Sequence, residues 1–217
     1  MKKIVIPLPA LVLTLGLMIA LVTPALADHY KYLYKGLEAQ VYWYMYDEDT
    51  RIYTDISVYA IDGINQNPPG SREQFHYLNI WIYQYSYDAD GNYVPIRDVY
   101  FYGDILPGSI AINHSLTSAG LTAYGLEGWQ YDYAAELETP VIFDIEVSWS
   151  AIGPLNNSSS NSHYRYPYGF YHSHSTGKSR EASILGEVVY DGIIATLGAS
   201  GYGYIASTKD GYMSVEQ

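Results

Sequence analysis

The chain has 217 residues, with 11 basic and 23 acidic side chains, a formal net charge of −12, no cysteine and 26 tyrosines. The lack of cysteine excludes disulfides, thiolate metal sites, a cysteine nucleophile and a lipid anchor on cysteine. The acidic balance sets the chain against phosphate backbones, so nucleic acid is not an expected partner.

The first residues read as an export signal. Lys2 and Lys3 are followed by an apolar run from Ile4 to Val22, and the segment ends on Ala25-Leu26-Ala27, a small-x-small cleavage pattern. Cleavage after Ala27 is expected, with an uncleaved membrane anchor as the alternative. The mature chain would then run from Asp28 to Gln217 as one domain of 190 residues with a net charge of −14. No later run is long enough to span a bilayer, so no stable membrane span is expected after cleavage. The expected location is outside the cell, secreted or held at the surface.

Strand patterns follow one another from there. "GLEAQVYWYMY" (36–46) turns at Asp47-Glu48-Asp49-Thr50 and returns as "RIYTDISVYAI" (51–61), a hairpin. "GINQNPPGSRE" (63–73) reads as a loop, since prolines cannot donate to a ladder. "FHYLNIWIYQYSY" (75–87) turns at Asp88-Ala89-Asp90-Gly91 and returns over 92–103, with Pro95 marking a bulge or an edge. Short strands are predicted at 109–114, 119–125 and 128–135. In "TPVIFDIEVSWS" (139–150), Val141, Phe143, Ile145, Val147 and Trp149 alternate with mostly polar residues, the pattern of a half-buried strand. "GPLNNSSSNS" (153–162) reads as a flexible surface loop by composition. Many short strands separated by turns, with no 3.6-residue period, predict an all-β antiparallel sandwich, with a closed or partly open barrel as the alternative.

The segments "YTDISVYAIDGINQNPPG", "LNIWIYQYSYD", "VSWSAIGP" and "GKSREASILGEVVYDG" resemble a recurrent group of exported bacterial proteins, over roughly residues 37–195. The resemblance implies an exported all-β domain and carries over no functional residue.

Four features hold candidate chemistry. "FDIEVSW" places Asp144 and Glu146 on one strand face, like part of a retaining glycosidase pair, but Ile142 stands where the first carboxylate belongs. "SYDADGN" shares Asp-x-Asp-Gly with calcium loops, but Ser86 and Arg97 stand at the first and twelfth positions, and a capped turn explains every residue. Tyr42, Tyr44 and Tyr46 share one side of their strand, and Trp81, Tyr83, Tyr85 and Tyr87 one side of theirs, with Tyr93 continuing that stripe. Such stripes stabilise a sheet by cross-strand pairing or, exposed, bind a glycan or another protein.

The fourth feature is "SHYRYPYGFYHSH" (162–174). His172 and His174 point the same way on a strand and suit one zinc or copper ion, with His163 as third ligand if the hairpin register allows. A three-residue Pro167-Tyr168-Gly169 loop pairs Tyr164 with His172 and turns His163 away. A two-residue Tyr168-Gly169 loop pairs His163 with His174.

The sequence therefore points to an exported β-sandwich with a binding or structural role and no assigned cofactor, zinc or copper being the open exception. A secreted hydrolase, metal-dependent or glycoside-cleaving, and a subunit of a surface assembly are the alternatives. The oligomeric state is left open.

Overall fold

The computed structural model describes residues 28–67, 71–167, 169–198 and 201–216; the expected export signal lies outside them. Among the described residues eleven strands follow in order: β1 (Asp28–Asp47), β2 (Ile52–Asn67), β3 (Ser71–Tyr87), β4 (Tyr93–Asp104), β5 (Ile110–Ile112), β6 (Ser118–Asp132), β7 (Leu137–Ala151), β8 (Asn156–Tyr166), β9 (Gly169–Tyr190), β10 (Ile193–Leu197) and β11 (Tyr202–Glu216). No helix occurs among the described residues, and every strand pairing is antiparallel, so the chain is all-β.

The pairings run in a ring. β1 lies between β11 and β2, β3 and β4 follow, β4 meets β6 over a short ladder, and β7 joins β6 to β9, which returns to β11. The ring closes at Ala182 of β9, which sits opposite Ala151 of β7 and Gly203 of β11. β5, β8 and β10 attach as edge strands.

Alternation places one side of each strand in a common core. Val41 on β1, Val58 on β2, Ile80 on β3, Val147 on β7, Ile184 on β9 and Ile205 on β11 are all buried. The pattern read from 139–150 holds: Val141, Phe143, Ile145, Val147 and Trp149 are buried. Trp149 is 1% exposed, and its Nε1 donates to the Gln40 carbonyl oxygen at 3.0 Å, tying β7 to β1 across the core.

Side chains cap the turns that align β1–β4. Asp47 Oδ1 accepts from the amides of Asp49 and Thr50. Asp88 accepts from the amides of Asp90 and Asn92 and from the Asn92 side chain, and Gly91 takes a φ of 81°. The carboxylate of the calcium-like motif is thus committed to its own turn. The register between β3 and β4 shifts at Tyr85, opposite Pro95, as that proline foretold.

Three expectations need correction. Most of the segment 153–162 is not a loop but the start of the edge strand β8 (Asn156–Tyr166), which pairs with β9. Ser- and Asn-rich composition marks low hydrophobicity, and an edge strand with solvent along it tolerates just that. The segment 63–73 is largely strand too, since β2 runs to Asn67 and β3 starts at Ser71; residues 68–70 lie outside the described ones. In the β8–β9 hairpin Tyr166 pairs with Gly169, so neither expected register occurs: Tyr164 faces Tyr171 and His163 faces His172. The hairpin closes one residue away from the three-residue-loop register, and a one-residue change flips which residues face each other.

Candidate functional site

The outward side of β1–β4 and β6 carries the aromatic residues in rows across the sheet. One row reads Tyr42, Ser57, Trp81, Tyr100 and Trp129, strand by strand. The next reads Tyr44, Asp55, Tyr83, Asp98 and Tyr131, and a third Tyr46, Tyr53 and Tyr85. Tyr87 faces Tyr93 beyond it, as the strand pattern predicts.

All seven tyrosine and tryptophan residues singled out in the sequence lie on this face. Tyr42, Tyr44, Tyr46, Trp81 and Tyr87 are exposed, while Tyr83 and Tyr85 are half-buried between neighbours. Their rings touch in a continuous array. Trp81 and Tyr83 lie 5.5 Å apart with planes at 16°, Tyr83 and Tyr85 5.7 Å apart, and Tyr85 and Tyr53 5.2 Å apart at 11°. Tyr46, Tyr87 and Tyr93 extend the array around Tyr53 and Tyr85.

Two carboxylates set within the array fix its polar tips. Asp98 accepts from Trp81 Nε1 at 3.0 Å and from the Tyr133 hydroxyl at 2.7 Å. Asp55, its pKa raised by partial burial, accepts from the Tyr42 hydroxyl. Cross-strand contact and these hydrogen bonds hold the rings in place, so little rotamer entropy remains to be lost when something lies on them.

Tyr53, Asp55, Asp98 and Tyr133 were not singled out in the sequence. Tyr53 and Asp55 had a signal, since the capped turn after Asp47 implies the register that places them beside Tyr46 and Tyr44. Asp98 and Tyr133 depend on the β4–β6 contact, which no local pattern announces.

Three phenols of the array, Tyr85, Tyr93 and Tyr133, hold their protons above the usual range. Burial and nearby Asp55 push Tyr85 up to about 12, and the hydrogen bond to Asp98 does the same for Tyr133. Tyr93 rises through desolvation and a hydrogen bond with Tyr83. A phenol whose folded pKa lies above its unfolded value contributes stability that is complete below about pH 10 and is lost as pH rises towards 12. An absorbance titration at 295 nm should therefore show a set of tyrosines ionising near pH 12 in step with unfolding, whereas urea-denatured protein titrates near pH 10. Native tyrosines all ionising near pH 10 would contradict the array.

The other candidates are dispersed. His163, His172 and His174 do share one face of the β8–β9 hairpin, and the His163 and His172 rings are 5.9 Å apart. Arg165 Nε, however, donates to His163 Nε2 at 3.3 Å, which sets a cation where a metal would have to bind. No group of three metal-ligating side chains close enough for one ion occurs among the described residues. Asp144 Oδ1 accepts from the Gly125 amide at 2.8 Å, serving the irregular pairing of β6 with β7 near Tyr124 and Gly125. Glu146 faces Glu187 across the β7–β9 ladder, and both line an open groove of about 440 Å³. Both side chains are exposed, so neither has the water-poor setting that a general acid needs.

Comparison with protein-family models, with curated proteins and with solved structures found no match to this chain, so the resemblance over 37–195 gains no support and the geometry alone carries the functional reading.

Proposed function

We propose that this chain is an exported binding protein whose outward aromatic sheet face holds a carbohydrate or cell-envelope polymer. The observation that carries this reading is the continuous, largely exposed array of rings from Tyr44 and Tyr46 through Tyr53 and Tyr85 to Trp81. Saccharides have apolar C–H faces and hydroxyl rims. Rings with hydroxyl tips, set among carboxylates that accept hydrogen bonds, offer a partner to both. The breadth of the array, across five strands, suits an extended polymer better than a single small molecule.

Export rests on Lys2 and Lys3, the apolar run and Ala25-Leu26-Ala27. The scattered carboxylates and histidines give an enzyme no comparable constellation. The test is retention on insoluble polysaccharides and envelope preparations by the protein from Asp28 onward. Native protein should be retained, and Trp81→Ala combined with Tyr85→Ala should reduce retention by about tenfold or more, as for the loss of two stacking contacts. Equal retention of both proteins, or none of either across a broad polymer panel, would overturn the reading.

A further inference from the structure

An open cleft lies on the opposite side of the same sheet, beyond the end of the core. Side chains alternate along a strand. The side of β1 that buries Val41 therefore also carries Lys35, that of β3 with Ile80 carries Arg72, and that of β11 with Ile205 carries Lys209. These three cations line this cleft of about 470 Å³, joined by His114 from the turn after β5.

Lys35 and Lys209 are direct partners in the β1–β11 ladder. Like charges placed opposite one another repel, and a fold retains such a pair at a cost unless an anion lies between them. Among the described residues neither lysine has a carboxylate partner; the His76 imidazole lies 3.3 Å from Asp62. Asp62 is the single acidic residue among the described ones lining the cleft, against three cationic side chains, Lys35, Arg72 and Lys209. On the next strand Lys178 faces Ser207, adding a cation beside the cleft. In a chain with 23 acidic and 11 basic residues, this is a marked segregation of charge. The acids of the Asp47–Asp49 and Asp88–Asp90 turns lie at the far end of these strands.

We infer that this cleft binds an acidic glycan, with an oxyanion of the sugar chain seated between Lys35 and Lys209 and a neighbouring charge reaching Arg72. Gln74 and Ser207 in the lining supply amide and hydroxyl groups suited to sugar hydroxyls. Among the described residues no Phe, Tyr or Trp lines the cleft, so they offer nucleic-acid bases no ring to stack on. A long phosphate strand would also extend over the acidic remainder of the surface. The site stands independently of the aromatic face.

The test is calorimetric titration of the protein with oligogalacturonate, with a sulfated dextran oligomer, and with the methyl-esterified and unsulfated counterparts. At least one charged oligomer should bind, weakening as salt rises, while its neutral counterpart does not. Lys35→Gln with Lys209→Gln should weaken binding about tenfold or more. Lys35→Arg with Lys209→Arg should retain it, and thermal melting reports that both double variants are folded. Trp81→Ala should leave it unchanged, which separates this site from the aromatic face. Binding that ignores charge, that survives in the glutamine variant, that fails for both charged oligomers or that is tighter for an oligonucleotide of matched charge would overturn the inference.

Discussion

Replacing Trp149 by alanine should cost about 3–5 kcal/mol of stability, the largest effect expected of any single truncation in the core. Trp149 is among the largest fully buried side chains and packs within the cluster that β7 shares with the rest of the ring. Its loss opens a cavity lined by rigid strands that cannot collapse to fill it, and it leaves the Gln40 carbonyl without the indole donor. Trp149→Phe separates the two contributions. It keeps much of the apolar volume and loses the hydrogen bond, so a smaller cost of about 1–2 kcal/mol is expected. Urea denaturation of the three proteins measures both, and an alanine variant within about 0.5 kcal/mol of native stability would contradict the packing described.

Gly186→Ala should be comparably damaging, by about 2–4 kcal/mol, for a backbone reason. Gly186 has a φ of 154°, and a Cβ there would lie 2.1 Å from the Glu146 carbonyl oxygen and 2.7 Å from the Val147 Cα. Both are main-chain atoms of the strand it pairs with, so relief requires β7 and β9 to separate. That ladder joins the two ends of the ring and positions Ile184, Val188 and Tyr190 in the core. By contrast, Gly192 occupies the Asp191–Gly192 turn with positive φ and open space around it. Gly192→Ala should cost only the strain of that conformation, about 1 kcal/mol. Denaturant midpoints should rank native, Gly192→Ala and Gly186→Ala in that order, and a reversed order of the two variants would contradict the register.

What could be read from the sequence was what recurs locally. Alternation in 139–150 identified the buried side of β7, and the tyrosine stripes at 42–46 and 81–87 were each placed on one side of their strand, because both depend only on the two-residue period of a strand; that this side faces outward came from the fold. Asp88, Asp90 and Gly91 declared their turn for the same local reason. The polar edge strand β8 escaped because its pairing with β9 supplies what composition lacks. The position of His163 escaped because a one-residue difference in where the β8–β9 ladder closes, at Tyr166 and Gly169, changes every pairing along it.

The basic cleft illustrates the limit most sharply. A net charge of −12 argued against phosphate backbones as partners, yet Lys35, Arg72 and Lys209 come from distant parts of the chain to one concave surface. Net charge governs the long-range field, and within a Debye length of about 8–10 Å the local arrangement decides what binds.

The aromatic platform is tested most directly by asking which rings a retained oligosaccharide touches. In a nuclear Overhauser experiment, contacts from sugar C–H protons to the rings of Trp81, Tyr83 and Tyr85 are the predicted result. Contacts confined to other surfaces, with those three rings unperturbed at saturation, would contradict it.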